Sequence, residues 1–362
     1  MNDVYGGLLS RDMARIFRKI PLVVVLVVNF WFDLSGCAAP GFLWAKQAGG
    51  TNGNSSGQAV AYDSSGNCFV TGLFSGAFGN PSASSSGLFD VFLAKYDSLG
   101  NLVWVSTGGG DGYDYGYGMA VDVDGNVLVT GSFEGTSANF GDTVHTWTFN
   151  AGTGSKNIFV LKYDNMGNCL WAQRAGKTSN QSEGFSIAVD TNGNCFLTGA
   201  FGGVAQFGMQ TLTSYGGYDI FVAKYDSAGN ALWARHAGAS GSGASFAGDK
   251  GYGIASDSQG NIFVTGYVSG GATIFDTITL PGGDEADFFL AKYSGDGAIQ
   301  WVRKAGRAQG TAVATSRTGD CFVTGIFSGF TRFATRELTS AGSQDVFLAK
   351  YDTLAEVYKL RP

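Results

Sequence analysis

The chain is poor in the residues that most often carry chemistry. Its 362 residues include two histidines and five cysteines. His145 and His236 lie far apart, and neither has a second imidazole nearby in sequence, so a histidine-ligated metal lacks its ligand set. No Cys-x-x-Cys occurs, which removes the motif for a zinc ribbon or a dithiol redox site. We expect no metal and no cofactor. Charge is sparse too: Asp, Glu, Lys and Arg make up 14 %, no run of like sign appears, and the formal charge is −6. An acidic body without clustered Lys and Arg is a poor match for a phosphate backbone, so no nucleic-acid partner is expected. Proline is scarce, at 5 residues, and no stretch has the i, i+3, i+4 apolar spacing of an amphipathic helix.

What is abundant is glycine, at 57 residues, and aromatic side chains, at 14 %. That composition is too apolar for a disordered chain and points to many tight turns around a large core.

The first 36 residues read as an address. Arg15, Arg18 and Lys19 precede the apolar run IPLVVVLVVNFWF (20–32), the layout of a secretory signal peptide. The run is short for a membrane span and is interrupted by Asn29 and followed by Asp33. Leu34-Ser35-Gly36-Cys37 then resembles a bacterial lipoprotein signal, in which the cysteine is lipidated and becomes the new N-terminus. The expected organisation is a signal peptide over 1–36, a tether anchored through Cys37 over 37–43, a folded body over 44–352 and a tail over 353–362. Met13 would begin a more compact signal than Met1. Removing 1–36 leaves 19 basic and 26 acidic residues, a formal charge of −7. The implied location is the bacterial cell envelope, lipid-anchored at the outer membrane or surface; the alternative is plain secretion.

The body repeats. Trp recurs at 44, 104, 171, 233 and 301, Thr-Gly starts at 71, 130, 198, 265 and 324, and Lys-Tyr at 95, 162, 224, 292 and 350. The octet DVFLAKYD stands at 90–97 and again at 345–352. Apolar pieces of a few residues, rich in Val, Ile, Phe and Tyr and bounded by Gly, Asn and Asp, read as strands. Each unit supplies four: in the third, a (186–190), b (194–200), c (219–226) and d (230–236). The a–b and c–d links are Asp-x-x-Gly-Asn turns, in which Asp accepts backbone hydrogen bonds and Gly supplies a positive φ. The strands are apolar on both faces, so each sheet must lie between others. Repeated four-stranded antiparallel sheets packed face to face make a β-propeller. The expected fold is all-β, a propeller of five four-stranded blades. The fifth unit lacks strand d, and the orphan Trp44-Ala45-Lys46 is expected to pair with it and close the ring.

GYGIASDSQGNIFVTG (251–266) followed by DFFLAKY (287–293) resembles the bacterial β-propeller repeat family often labelled SBBP, over about 44–352 in five copies. The strand scheme is also similar to NHL-type propellers, with a longer b–c link. The resemblance implies a propeller and an extracytoplasmic location. It brings no catalytic residues.

Most polar motifs have a plain structural reading. Cys68, Cys195 and Cys321 fill one slot on strand b, and Cys169 opens a strand d; these are expected to be free, buried thiols. Asp122-Val-Asp124-Gly-Asn126 could suggest calcium, but no bidentate Glu follows at the needed distance, so it reads as a turn. His236 ends a strand d where other units have Gln47, Thr107, Arg174 and Lys304, which suggests a solvated edge. Tyr117, Phe185 and Tyr252 start strand a and read as packing. Function is expected in the variable d–a and b–c links, held on one end by the scaffold. The candidate ligand-binding residues are Asp111, Tyr113, Asp114, Tyr115, His145, Trp147, Asp249 and Lys250. The expected function is a monomeric, non-catalytic binding or scaffolding propeller whose partner is an envelope protein or a glycan. The alternative is a carbohydrate lyase or hydrolase, with Asp114 paired to Asp249 or Glu285 near the axis.

Overall fold

The computed structural model describes residues 41–50, 52–79, 83–142, 145–152, 154–177, 181–239, 248–316 and 318–352. The segment expected to be a signal peptide, Cys37 and the 353–362 tail lie outside them. The chain divides into Met1–Phe42 and Leu43–Pro362, and every strand belongs to the second unit.

All regular structure among the described residues is β, in antiparallel sheets. Blade one has strands a to d at Ser55–Tyr62, Cys68–Phe74, Asp90–Tyr96 and Leu102–Gly110. Blade two has Tyr115–Val121, Val127–Glu134, Lys156–Tyr163 and Cys169–Ala175. Blade three has Ser182–Val189, Cys195–Phe207, Gln210–Tyr225 and Ala231–Ala239. Blade four has Lys250–Ser256, Ile262–Gly270, Gly283–Tyr293 and Ile299–Ala305. Blade five has three: Ala308–Thr315, Cys321–Phe327 and Asp345–Tyr351.

The repeated residues are the fasteners of this arrangement. In the Asp-x-x-Gly-Asn turns the carboxylate is consumed locally: Asp226 Oδ1 accepts the Ala228 and Asn230 amides (3.0 and 2.8 Å) and Oδ2 accepts the Asn230 side chain (2.9 Å). The threonine of Thr-Gly donates to a strand-c carbonyl in every blade, as Thr198 does to Phe221 (2.8 Å). The tryptophan clamps the next blade. Trp104, Trp171 and Trp233 donate Nε1–H to Asn165, Ser227 and Gly295 at 3.1, 3.0 and 3.1 Å. Each indole lies flat on the next c–d turn, where Gly167, Gly229 and Gly297 have φ of 92°, 87° and 85°. The lysine of Lys-Tyr bridges turns: Lys224 donates to the Gly295 carbonyl at 3.1 Å, and Lys162 pairs with Asp122 at 3.0 Å. Between blades, fully buried Phe196, Ile220 and Val222 of blade three pack on Ile254, Val264 and Phe289 of blade four. Side chains buried like this each contribute about 1.5–3 kcal/mol.

Two expectations need correction. The b–c links are not free loops at one end. They form hairpins that fold back along the outer edge and reach the preceding blade. The blade-two hairpin pairs Asn139 and Ala138 with Gly109 and Gly110 of blade one, and the blade-four hairpin pairs with Ala237–Ala239 of blade three. Their backbone polar groups would otherwise be unpaired against the edge of strand d. The second correction concerns closure. Residues 44–50 do occupy the position of a strand d ahead of blade one. Trp44 Nε1–H donates to Ser98 at 3.2 Å, and Gly50 abuts the Ala77 carbonyl as Gly110 abuts that of Ser137. They carry no strand, however, and among the described residues nothing in blade five is paired to them. Pairing needs blades one and five to meet, and the faces they would bury are open. Val346 and Leu348 are 55 % and 69 % exposed, whereas the equivalent Ile220 and Val222 are sealed, and Val60 and Tyr62 of blade one are exposed as well. An open groove of about 890 Å³ lined by Arg303, Phe333, Leu338, Leu348 and Tyr351 runs along this free edge.

Candidate functional site

With the b–c hairpins folded away, the end opposite the Asp-x-x-Gly-Asn turns is built from the d–a links and the first residues of strand a. One feature recurs there. The a–b pairing skips one residue in every blade, between Gly116 and Gly118, Gly184 and Ser186, and Gly251 and Gly253 in blades two to four. The skipped residue is a β-bulge, a device that re-aims a side chain. Here the bulges are Tyr117, Phe185 and Tyr252. The glycine of Thr-Gly makes room: a Cβ on Gly131 would lie 1.8 Å from the Tyr115 carbonyl.

The three bulge rings touch in succession across blades, at 5.7 Å (Tyr117–Phe185) and 5.2 Å (Phe185–Tyr252). The line extends at both ends. Tyr115 stacks on Tyr117 at 5.4 Å and 5°, Tyr113 on Tyr115 at 6.2 Å and 7°, and Phe89 on Tyr113 at 5.8 Å. Tyr267 adjoins Tyr252 at 5.8 Å. Tyr113 is exposed and the other six rings are half-buried. Burial pushes the Tyr117 and Tyr252 hydroxyls above the ordinary phenol range, so they stay neutral.

Charges flank this line. Lys156 Nζ bridges Glu134 of its own blade and Glu183 of the next, at 2.9 Å each, and lies over the Tyr115 ring. Burial works against its charge, but the two carboxylates outweigh that and hold its pKa above the usual lysine value. Lys250 sits over the Phe185 and Tyr218 rings, 5.9 and 5.6 Å from their centroids.

The residues expected at the site divide into three groups. Tyr113, Tyr115 and Lys250 belong to the aromatic line. Asp111 is exposed at its margin and is tied to Thr136, whose hydroxyl and amide hold its carboxyl below the usual range. Asp114 and Asp249 are sealed at separate junctions, one between blades one and two, the other between blades three and four. Asp114 accepts the Gly110 and Glu134 amides (2.6 and 3.1 Å), and Asp249 accepts those of Ala239 and Ser269 (2.8 and 2.7 Å). Burial is the main force raising them, Asp114 to about 7 with help from Asp90 and Glu134, and Asp249 to about 6. The expected Asp114–Asp249 meeting near the axis is therefore not made, because each side chain caps the end of a strand d in its own blade pair. The side chain of Glu285 lies outside the described residues. His145 and Trp147 are also elsewhere, on the blade-two hairpin. Its tip is anchored by Asp142 Oδ2 accepting the Cys169 amide (2.6 Å) at the turn-bearing end.

Sequence reading missed the bulge aromatics as surface residues, together with Phe89 and the Glu134–Lys156–Glu183 bridge. A signal was present: an aromatic between two small residues at one repeat position, GYG (116–118), GFS (184–186) and GYG (251–253). His236 is not on a solvated edge. It is half-buried between Tyr215 and Phe201, its Nε2 has no partner, and burial lowers its pKa. The four described cysteines are free, and burial pushes Cys169, Cys195 and Cys321 to about 12, far from reactive.

A family model described as a β-propeller repeat, SBBP, matches residues 233–270, which run from strand d of blade three through strand b of blade four. An uncharacterized WD repeat-containing protein of Acanthamoeba polyphaga mimivirus is 26 % identical over 72 % of this chain and 23 % of its own length. The regulatory protein FlaEY of Caulobacter vibrioides is 28 % identical over 39 % of this chain and 14 % of its own. The chain thus spans less than a quarter of either relative. A crystallised protein of unknown function from Bacteroides caccae aligns over 75 % of this chain and 73 % of its own, at 12 % identity and a TM-score of 0.36. The chain is an all-β protein built of β-propeller repeats.

Proposed function

We propose that the protein is a non-catalytic binding propeller of the bacterial cell envelope, anchored through Cys37, that takes a glycan across its aromatic line. The observation that supports this is the unbroken run of half-exposed rings, aimed outward by bulges at one position in three consecutive blades. Amphipathic aromatic surfaces bind ligands that are apolar on one side and polar on the other. A sugar ring fits: its C–H face lies on the rings and its hydroxyls reach Lys250, Glu134 and Glu183. The acidic body and the internally neutralised Lys156 disfavour polyanions. Repetition across blades suits a ligand that itself repeats. An enzyme reading has less support, because the acid groups that could work as a pair are sealed from the surface.

The test is a glycan array followed by calorimetry on the full chain and on a Tyr115→Ala/Tyr117→Ala variant. Recognition of at least one oligosaccharide is expected, weakened tenfold or more in the variant at unchanged fold. No glycan binding, binding untouched by the substitutions, or capture of a protein partner instead would sink the proposal.

A further inference from the structure

We propose that Asp90 with Asp114, and Asp219 with Asp249, each share a single proton, and that these two inter-blade junctions are latches released by loss of that proton.

The two pairs are built alike. The Asp114 amide donates to the Phe89 carbonyl, next to Asp90, at 2.8 Å; the Asp249 amide donates to the Tyr218 carbonyl, next to Asp219, at 2.7 Å. Strand c of one blade thereby meets the start of strand a of the next. A glycine of strand d leaves space at each junction, for both acids at the first and for Asp219 at the second. A Cβ on Gly109 would lie 2.5 Å from Asp114 Oδ2 and 2.9 Å from Asp90 Oδ1, and one on Gly238 would lie 2.2 Å from the Asp219 carboxyl carbon. All four side chains are at most 3 % exposed. Asp114 and Asp249 each accept two backbone amides, one per oxygen, as carboxylates do. Asp90 Oδ2 accepts the Ser86 amide, with the Gly87 amide and the Ser86 side chain also acting on that carboxyl, and Asp219 Oδ2 accepts the Tyr215 amide; in both acids Oδ1 is buried without a partner. A buried bare oxygen beside a second carboxylate is accounted for by a proton: Oδ1–H of Asp90 or Asp219 donates to its neighbour, and one negative charge remains per pair.

The other junctions act as internal controls. Between blades two and three the same positions are Asn157 and Ser182, which cannot ionise in this range. Between blades four and five the second acid is replaced by Ala308, and Asp287 is neutralised by Lys304 Nζ at 2.5 Å. The groups facing the first pair are Glu134, itself paired to Lys156, and Asp111 on the d–a link, tied to Thr136. Those near the second are the Tyr267 hydroxyl, Lys250 next in sequence, and His236 on Tyr215, whose pKa burial lowers. Burial raises all four, Asp114 and Asp219 to about 7 and Asp249 to about 6, with repulsion from Asp90 adding to the rise of Asp114 and repulsion from Asp249 to that of Asp219.

Release runs from acid to base. Unfolded carboxyls lose their protons near 3.8, whereas the folded pair keeps one to about 6–7. The stabilisation is complete below the unfolded value and is lost as pH rises through the folded one. Above that, the proton passes to water and two anions face each other in a sealed space.

The experiment follows thermal unfolding of the full chain from pH 5 to 8.5, for the native protein and for Asp90→Asn/Asp219→Asn, which copies the natural Asn157. The native melting temperature should fall from pH 5 to about 7 and level off above that, and the variant should stay level and melt higher at pH 8. A flat native profile, a variant that falls in parallel, or a calcium-dependent rise at pH 8 would overturn the proposal, the last by showing a metal in the proton's place. Should the variant fail to fold, infrared titration of the native protein decides: a buried carboxylic-acid band must disappear over the same range.

Discussion

The tryptophan clamp makes a sharp prediction, because blade four contains its own control. Gly260 and Gly297 are the glycines of its a–b and c–d turns, with φ of 79° and 85°. A Cβ on Gly260 would meet nothing within 4 Å; one on Gly297 would lie 2.8–3.1 Å from the Trp233 indole. Left-handed backbone costs a side chain about 1–2 kcal/mol at either site. At Gly297 the ring must also move, although its Nε1–H is bound to Gly295 and its face packs near Phe196. Overpacking of that kind adds about 1–3 kcal/mol. Gly260→Ala should therefore lower the melting temperature by about 2–4 °C and Gly297→Ala by about twice that, at roughly 2 °C per kcal/mol for a body of this size. Trp233→Ala alone should cost about 3–5 kcal/mol. Adding Gly297→Ala to it should then cost no more than Gly260→Ala does, since the ring is gone. Calorimetric unfolding of the four variants reads all of this. Equal losses for the two single glycine variants would refute the clamp.

Two further outcomes are expected. Lys162→Met should destabilise by about 3 kcal/mol in chemical unfolding, because it leaves the buried Asp122 carboxylate, 3.0 Å from Nζ, without its counter-charge and held only by its own turn's amides and Asn126; a loss under 1 kcal/mol would show that those turn bonds suffice. Growth of an expressing bacterium with a labelled fatty acid should label the chain through Cys37 and should fail with Cys37→Ser; equal labelling of both would remove the anchor.

Much of the architecture is legible in the repeats because their punctuation is local. An Asp that must accept its own turn's amides and a Gly that must take positive φ mark a strand boundary wherever they occur. The third blade illustrates this: strands expected at 186–190, 194–200, 219–226 and 230–236 are found at Ser182–Val189, Cys195–Phe207, Gln210–Tyr225 and Ala231–Ala239. The overruns of b and c are the folded-back hairpin. Its sequence varies from blade to blade, so no pattern announced it. The site was half legible. Tyr113 lies in a variable link, and Tyr115 and Lys250 open strand a directly after one, where function was sought. Tyr117, Phe185 and Tyr252 repeat, and repetition was read as packing.

The amino-acid sequence by itself determined the β class, the four-strand unit, the turns, and the Trp, Thr-Gly and Lys-Tyr positions that fasten blade to blade. Each is a property of a short segment and its nearest neighbours. Only the tertiary structure decided which way a repeated residue points and what it meets. One skipped residue in strand a turns an aromatic from packing to surface, and adjacency of blades brings together Asp90 and Asp114, 24 positions apart. It also left residues 44–50 in the place of a strand d without the ladder partner that blade five was expected to provide. Hydrogen bonding across a sheet depends on where whole blades come to rest, and no local pattern encodes that.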